Sequence, residues 1–268
     1  MTKKERGYLT ELYYFALSFF VYGFLGWCME VAYAAAKQGK FVNRGFLNGP
    51  ICPVYGIGVG VVVQFLTPVE NNLVLLYISS TILVTVIEGI TGFLLEKIFH
   101  NKWWDYSEQP LNIGGYVCVL FSLIWGVFCV LIVKIIHPLI YKVLTMIPLV
   151  LGIVVMACLA VGLLADLYVT ASGILKMNRR LEAMEKIAAE LKELSDKVGE
   201  NIYENVMEGM EFREEKKARI EELKAKYEEM AENRTKVGER LVKAFPKMQV
   251  GQHKEIFEEL RERIKRSK

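Results

Sequence analysis

The charged residues of this 268-residue chain are distributed very unevenly. Residues 1–175 contain 19 Asp, Glu, Lys and Arg, about 11% of that stretch, whereas residues 176–268 contain 44, about 47%. The first part also contains apolar runs long enough to cross a bilayer, whose hydrocarbon core of ~30 Å needs about 20 helical residues. We therefore predict an all-α, polytopic helical membrane domain at 1–175 and a charged cytoplasmic helical tail at 176–268.

This division excludes several classes of protein. An ordinary soluble enzyme does not have such a division. The small net charge of +3 also argues against a protein that binds nucleic acid, which would favour a clustered basic face. The five cysteines include no CxxC pair, and they lie in or beside apolar runs, so we interpret them as small apolar residues rather than as disulfides or metal ligands.

Four apolar runs are long enough to span comfortably, at residues 12–36, 73–95, 116–136 and 147–175. A fifth run, at 51–66, is shorter and contains Gly56, Gly58 and Gly60. It fits a short span packed closely through Gly56 and Gly60, or a re-entrant segment whose backbone is covered by protein or water. We favour a span. The sequence therefore predicts about five transmembrane helices, or four plus a re-entrant segment.

The basic residues beside the spans indicate the orientation, because Lys and Arg are enriched on the cytoplasmic side. Both arrangements place eight of them on the side of the C-terminus and five on the opposite side. We therefore predict a multi-pass protein of the cell membrane with a cytoplasmic C-terminus. The side of the N-terminus differs between the two arrangements and stays open.

Three acidic residues lie inside the apolar runs, namely Glu30, Glu88 and Asp166. Such residues cost roughly 2.5–3.5 kcal/mol on insertion and usually face the bundle interior or a cavity. They must be protonated, bind a cation or pair with a base from a loop. Arg44 is the best such base, because a guanidinium can pair with a carboxylate through two hydrogen bonds. These four residues form a candidate intramembrane polar site. Three interpretations remain open for these residues. They form a structural ion pair, they bind a substrate or ion, or the acidic side chains simply reach the water at the membrane interface.

Two loops carry patterns too specific for simple spacers. In the first, at 41–56, glycine and proline fix turns at defined places. In the second, at 103–112, adjacent aromatic residues favour an interfacial aromatic belt, with a binding surface as the alternative. The candidate residues of these loops are Asn43, Gly45, Gly49, Pro50, Pro53, Trp103, Trp104, Asp105 and Tyr106.

The histidines near the spans do not form a metal motif. Glu96 and His100 could share a helix face and approach Asp105, but their spacing matches no accepted metal site. We predict no metal and no cofactor. His137 precedes Pro138 and is interpreted as the end of a span.

The tail has the period of amphipathic helices. The first apolar stripe is interrupted at Gly199, and a second helix is predicted at 202–230. A third, short helix is stopped by Pro246, and a last helix contains Leu260. The narrow first stripe suits a coiled coil or a helical hairpin. Such a tail either stabilises the protein or its dimer, or docks a cytoplasmic partner. The stripe consists of Leu181, Met184, Ile187, Leu191, Leu194 and Val198.

Several stretches together resemble one family of membrane proteins. They lie at residues 20–30, 43–56, 96–107 and 121–126, with a looser match in the tail at 240–248. In these stretches the chain is similar to the proteins described as "Putative ABC-transporter type IV" (CmpB-like), and the resemblance extends over about 14–175. It implies the permease subunit of an ATP-binding-cassette transporter and adds weight to Glu30, Arg44, Glu88 and Asp105 as site residues. It supplies no substrate.

The sequence contains no GxxxxGK[ST], GxSxG or HExxH motif, so the chain is not itself a P-loop ATPase and no nucleophile–base set is visible. We predict a non-enzymatic, permease-like subunit in contact with the lipid bilayer, with a separate P-loop ATPase. A homo-oligomer is expected, because five spans are few to enclose a path. One alternative is a non-transporting membrane scaffold or sensor with a partner-binding tail. The other is an ion- or proton-coupled transporter.

Overall fold

The structure is a computed structural model that describes residues 3–200 and 209–266, with side chains at 9–197 and 214–266. The chain forms two compact units. Unit 1 consists of Met1–Ala171 and Lys243–Gln249, and unit 2 consists of Ser172–Val242 and Val250–Lys268. Lys243–Gln249, which the sequence assigned to the tail, therefore belongs to unit 1.

Helices dominate the described residues, and each strand is only two residues long. The elements in chain order are α1 (Lys3–Gln38), α2 (Pro53–Leu66), a 3₁₀ turn (Thr67–Val69), α3 (Leu73–Phe99), β1 (Asn101–Lys102), β2 (Asn112–Ile113), β3 (Val117–Cys118), α4 (Val119–Leu131), a π-helical turn (Ile132–Ile136), α5 (His137–Thr145), α6 (Leu149–Glu200), α7 (Gly209–Glu232), α8 (Lys236–Ala244), β4 (Gln249–Val250) and α9 (Lys254–Arg266). Strands β2 and β3 pair antiparallel, with Asn112 opposite Cys118.

Four helical segments are long and apolar enough to cross a membrane: Leu9–Gln38, Leu73–Phe99, Val119–Thr145 and Leu149–Lys197. The prediction of an all-α, polytopic membrane protein is therefore confirmed. The apolar helix Pro53–Val69, which covers most of the fifth predicted run, falls below that length. Large apolar side chains on these segments are exposed at the protein surface, as expected of helices that face lipid.

The third predicted span was wrong in extent. It was expected to end at Ile136, with His137 as its boundary, but helical structure runs from Val119 to Thr145. A π-helical turn, Ile132–Ile136, precedes Pro138. Proline cannot donate a backbone hydrogen bond to the preceding turn, and the wider π turn accommodates it without ending the helix.

Glycines allow α1 and α2 to approach closely. A Cβ at Gly26 would lie 2.4 Å from the Tyr55 ring, and a Cβ at Gly60 would lie 2.8 Å from the Phe15 ring. These contacts run in opposite directions along the two helices, so α2 returns antiparallel along α1 from the loop that joins them. The predicted close packing through Gly56 and Gly60 is present.

Replacing Gly56 with alanine is expected to destabilise unit 1 by ~1–3 kcal/mol. The added Cβ would lie 2.6 Å from the backbone oxygen of Phe19, and a backbone atom can move away only if α1 and α2 separate. The matched control is Gly162→Ala on α6, where no atom lies within 4 Å of the added Cβ. Thermal unfolding in detergent should show a lower midpoint for Gly56→Ala alone. Equal midpoints for the two variants would contradict the close contact.

Unit 2 is built on the apolar stripe predicted for the tail. Leu181 and Met184 of this stripe are fully buried on α6. Ile174, which was assigned to the last predicted span, is fully buried on the same helix, as is Leu241 on α8. Gly199 does not interrupt the helix, because α6 continues to Glu200. The side chain of Val198 and the predicted helix start at 202 lie outside the described residues. Phe245 was placed on the third tail helix, but α8 ends at Ala244.

Candidate functional site

The loop between α1 and α2 has a shape fixed by hydrogen bonds to α1 and within itself. The Trp27 indole donates to Asn43 Oδ1 at 2.8 Å, and the amide nitrogen of Asn43 donates to the backbone oxygen of Asn48 at 2.7 Å. The backbone N–H of Gly45 also donates to Asn43 Oδ1, at 3.0 Å, and a Cβ at Gly45 would lie 3.0 Å from the Trp27 ring. Asn43 therefore organises the turn that carries Arg44.

This turn places Arg44 beside Glu30 of α1. Arg44 Nε lies 3.3 Å from Glu30 Oε2, and their side chains are 29% and 22% exposed. Tyr55 of α2 donates its hydroxyl proton to Glu30 Oε1 at 2.6 Å. The Arg44 guanidinium also lies over the Tyr33 ring, 4.7 Å from its centroid. Each Glu30 oxygen thus has a partner, which lowers the cost of placing this acid in an apolar helix.

Glu88 of α3 is only partly satisfied. Tyr106, from the second loop, donates its hydroxyl proton to Glu88 Oε1 at 3.2 Å. Glu88 Oε2 is buried and has no hydrogen-bond partner within the residues that the structure describes. The Tyr106 ring stacks on Phe121 at 5.1 Å, which holds the hydroxyl in place.

Tyr106 also lies within electrostatic range of the Glu30–Arg44 pair. Burial raises the pKa of the Tyr106 hydroxyl, the carboxylates of Glu88 and Glu30 raise it further, and the Arg44 charge opposes them. We call Glu30, Arg44, Tyr55, Glu88 and Tyr106 the polar cluster. When both acids are ionised it holds two negative charges and one positive charge, together with one unpaired oxygen. It can therefore accept a cationic or hydrogen-bond-donating group.

Asp166 of α6 is bound differently from the other acids. Asp166 Oδ1 accepts hydrogen bonds from the backbone N–H of Asn48 at 3.1 Å and from its side-chain amide at 2.8 Å. Asp166 Oδ2 accepts from the N–H of Gly49 at 2.6 Å, and Thr170 donates to Oδ1 at 3.3 Å. Asp166 therefore holds the first loop against α6 through neutral donors, without a contact to Arg44 in the described residues.

The second loop is built around a buried tryptophan. Trp103 is 3% exposed, and its ring meets those of Phe46, Phe99 and Phe245 edge to face, with centroids 5.2, 6.5 and 5.3 Å away. The interfacial belt favoured from the sequence was therefore wrong for Trp103, whose ring packs inside unit 1. The sequence pattern could not distinguish the two, because Phe245 lies more than 140 residues away in the chain.

Asp105 organises the rest of this loop. Its carboxylate lies 3.1 Å from Lys102 Nζ, accepts from the Ser107 hydroxyl at 2.6 Å, and accepts from the Gln249 amide at 3.0 Å. Burial alone would raise the pKa of Asp105, but the hydrogen bonds from Ser107 and Lys102 outweigh it and lower the pKa to about 2. Gly115, at φ +72°, passes so close to these groups that a Cβ would lie 2.4 Å from the Asp105 carboxylate.

The remaining predicted residues have structural positions. Pro53 is the first residue of α2, where a missing N–H costs nothing, and Pro50 is exposed. The Trp104 indole donates to the backbone oxygen of Tyr116 at 2.8 Å. Within the described part of the chain, no group of three His, Cys, Asp or Glu side chains is placed to hold a metal ion. Glu96, His100 and Asp105 therefore do not form such a group.

Sequence reasoning missed three aromatic residues that contact Glu30, Arg44 and Asn43. Tyr55 binds Glu30, Tyr33 lies under Arg44, and Trp27 binds Asn43. The sequence contained only weak signals for these contacts. Tyr55 carries a hydroxyl near the start of an apolar run, and Tyr33 lies one helical turn after Glu30.

A protein-family model described as "Putative ABC-transporter type IV" matches residues 17–171. The match covers more than half of the chain and includes the whole polar cluster. Comparisons with curated proteins and with solved structures give no match in either set. The chain therefore belongs to the family described as "Putative ABC-transporter type IV".

Proposed function

We propose that the protein is the permease-like membrane subunit of an ATP-binding-cassette transporter and that a separate P-loop ATPase supplies the energy. The observation that carries the proposal is the family match over residues 17–171, which contains two complete candidate spans, most of a third, part of the fourth and the polar cluster. The absence of a GxxxxGK[ST] motif from the sequence supports a separate ATPase. In this proposal the chain itself catalyses no reaction.

The proposed orientation places the C-terminus and both polar loops in the cytoplasm. The two loops meet at one end of unit 1, where the Phe46 ring lies 5.2 Å from Trp103, and the tail segment Lys243–Gln249 reaches the same loop through Gln249. Because α1 and α3 both end at these loops, α2 must carry the chain to the opposite end. This supports α2 as a short fifth span, the arrangement with eight Lys and Arg on the C-terminal side.

The polar cluster is the proposed substrate site. Its surplus negative charge and the unpaired Glu88 Oε2 suit a substrate that brings a positive charge or hydrogen-bond donors. Five spans are few to enclose a path, so we propose that two or more copies assemble in the cell membrane.

Gentle affinity purification of the full-length protein from its native membrane, followed by mass spectrometry, tests this function. We expect a P-loop ATPase at a fixed ratio to the chain. Recovery of the chain with itself alone would contradict the proposal. A purification under high salt and harsh detergent is the control, because a specific complex should lose its ATPase only under those conditions.

One group of contacts favours a second candidate, a membrane scaffold or sensor that transports nothing. Asp166 accepts hydrogen bonds only from the chain's own loop and Thr170 within the described residues, and Glu30 is occupied by Arg44 and Tyr55. In that case the acids would serve only to fix the loops, and unit 2 would bind a partner other than an ATPase. The same purification distinguishes the two candidates by the identity of the partner.

A further inference from the structure

Basic residues follow directly where α6 leaves its apolar run. The last predicted span ends at Leu175, and Lys176, Arg179 and Arg180 come next on the same helix, in a stretch, 172–181, whose sequence has no Asp or Glu. At 1.5 Å per residue, Arg180 lies about 7.5 Å beyond Leu175, and one headgroup layer is roughly 5–7.5 Å thick. Helical side chains tilt toward the N-terminus of their helix, so these three basic side chains extend back toward the membrane.

The start of α8 brings a second basic segment to the same part of α6. Val237 packs where Gly173 has no side chain, since a Cβ at Gly173 would lie 2.7 Å from the Val237 Cβ. The sequence around this contact, 233–238, contains Arg234 and Lys236 and no Asp or Glu. All of these residues belong to unit 2. Two segments far apart in the chain therefore contribute positive charge beside the end of the last predicted span.

Two of these arginines are held close together. Arg180 Nη2 donates to the backbone oxygen of Asn233, and Arg234 Nε donates to the backbone oxygen of Ala231 at 3.0 Å. The charge of Arg234 acts on Arg180, whose guanidinium is partly withdrawn from water. Like charges repel in such surroundings, and an anion that binds both guanidinium groups relieves the repulsion. The arrangement therefore favours an anionic ligand.

The acids that flank these segments do not cancel their positive charge. Glu182 follows the first segment and forms an ion pair of 2.6 Å with Lys186. Glu232 and Glu239 flank the second segment, so five basic residues stand against two acids, a net charge of +3. We call the five basic residues the basic patch: Lys176, Arg179, Arg180, Arg234 and Lys236.

We propose that the basic patch binds the headgroup of an anionic phospholipid in the leaflet at the end of the last predicted span. The guanidinium groups of Arg180 and Arg234 donate to the phosphate oxygens, and the other three basic residues attract neighbouring anionic lipids. Clusters of about four to eight Lys and Arg beside a transmembrane helix bind anionic lipids in this way. A zwitterionic headgroup carries its own cation, which the patch repels. The proposal is independent of the polar cluster and of any ATPase.

Native mass spectrometry of the full-length protein, released from nanodiscs with equal amounts of phosphatidylglycerol and phosphatidylcholine, tests the proposal. We expect the protein to retain phosphatidylglycerol over phosphatidylcholine. Arg180→Gln with Arg234→Gln should reduce the retained phosphatidylglycerol about tenfold to thirtyfold, because it removes two of the five charges and the bonds to phosphate. Arg180→Lys with Arg234→Lys should reduce it less, since lysine keeps the charge but cannot form paired hydrogen bonds.

The matched control removes two positive charges from unit 2 at a greater distance from the membrane. Lys192 on α6 and Lys217 on α7 are both exposed, and Lys192 lies about 18 Å beyond Arg180 along the helix, roughly two Debye lengths at physiological ionic strength. Lys192→Gln with Lys217→Gln should therefore leave the retained phosphatidylglycerol unchanged.

A second pair of exposed residues keeps the test independent of folding. Lys176→Gln with Lys236→Gln leaves the bond between Arg180 and Asn233 intact and should still reduce the retained phosphatidylglycerol severalfold. Circular dichroism should show the helix content of the unsubstituted protein in this variant. Equal retention of the two lipids by the unsubstituted protein would overturn the proposal. An equal loss in this variant and in the control pair would overturn it as well.

Discussion

Replacing Trp103 with alanine is expected to lower the free energy of unfolding by about 3–5 kcal/mol, the largest effect expected of a single substitution in unit 1. The Trp103 ring is 3% exposed and contacts three phenylalanine rings, one of them Phe245 in the segment Lys243–Gln249. Removing it leaves a cavity and withdraws the surface on which that segment packs. Denaturant unfolding in detergent measures the change, with helix content monitored by far-ultraviolet circular dichroism rather than by tryptophan fluorescence.

Two controls define the source of this effect. Trp103→Phe keeps an aromatic ring and should cost clearly less, because edge-to-face contacts persist with a smaller void. Phe41→Ala removes an aromatic ring of the first loop that is 69% exposed and should change the stability by less than ~0.5 kcal/mol. If Trp103→Ala behaved like Phe41→Ala, the buried position of Trp103 would be wrong.

The second large effect is expected at the Arg44–Glu30 pair. Arg44→Ala leaves the Glu30 carboxylate with Tyr55 as its partner in an apolar helix, and it should cost about 2–3 kcal/mol, less than for a fully buried pair because both side chains are partly exposed. Glu30→Gln in the Arg44→Ala background should recover part of this loss, because it removes the stranded charge.

A double-mutant cycle with Arg44→Ala and Glu30→Gln measures the interaction. The double variant is expected to be more stable than the sum of the single effects by at least ~1 kcal/mol. The matched control cycle combines Arg44→Ala with Asp166→Asn, since Asp166 is bound by neutral donors and has no contact with Arg44 in the described residues. Additive effects in the Glu30 cycle would show that the two side chains do not act as a pair.

The membrane architecture was largely predictable from the sequence. A bilayer requires about 20 apolar residues per helix, so hydropathy alone located the four long spans. The extent of the third was missed, because Pro138 ordinarily ends a helix and nothing local in Ile132–Ile136 indicates a π turn. The run at 51–66 favoured a short span but did not decide between a span and a re-entrant segment, because it is shorter than the ~20 residues that a span needs.

The polar cluster was predictable in part. Glu30 and Glu88 stood out because acids in apolar runs are costly, and Arg44 because it was the best base in an adjacent loop. Tyr106 was a candidate residue of the second loop, but neither tyrosine was predicted to bind an acid, because Tyr55 lies 25 residues from Glu30 and Tyr106 lies 18 residues from Glu88 on separate elements. Asp166 was placed in the same candidate site, and its bonds to Asn48 and Gly49 instead indicate a loop anchor.

The return of Lys243–Gln249 to unit 1 had no signal in the sequence beyond a loose family resemblance. Met248 and Ala244 are fully buried, yet the surrounding sequence is charged and typical of the tail. Contacts between positions this far apart are set by tertiary packing, which periodicity within one helix cannot report.

The proposed function requires both polar loops to face the cytoplasm, where an ATPase has ATP. Labelling of single introduced cysteines with a membrane-impermeant maleimide in intact cells tests this most directly, with the unsubstituted protein and its native cysteines as background. We expect Gln38→Cys and Glu108→Cys to be protected until the cells are permeabilised, and Asn71→Cys, after α2, to react from outside. Reaction of Gln38→Cys in intact cells would place the first loop outside and would contradict the cytoplasmic position of the polar loops. The same labelling pattern at Gln38→Cys and Asn71→Cys would contradict the proposed crossing of α2.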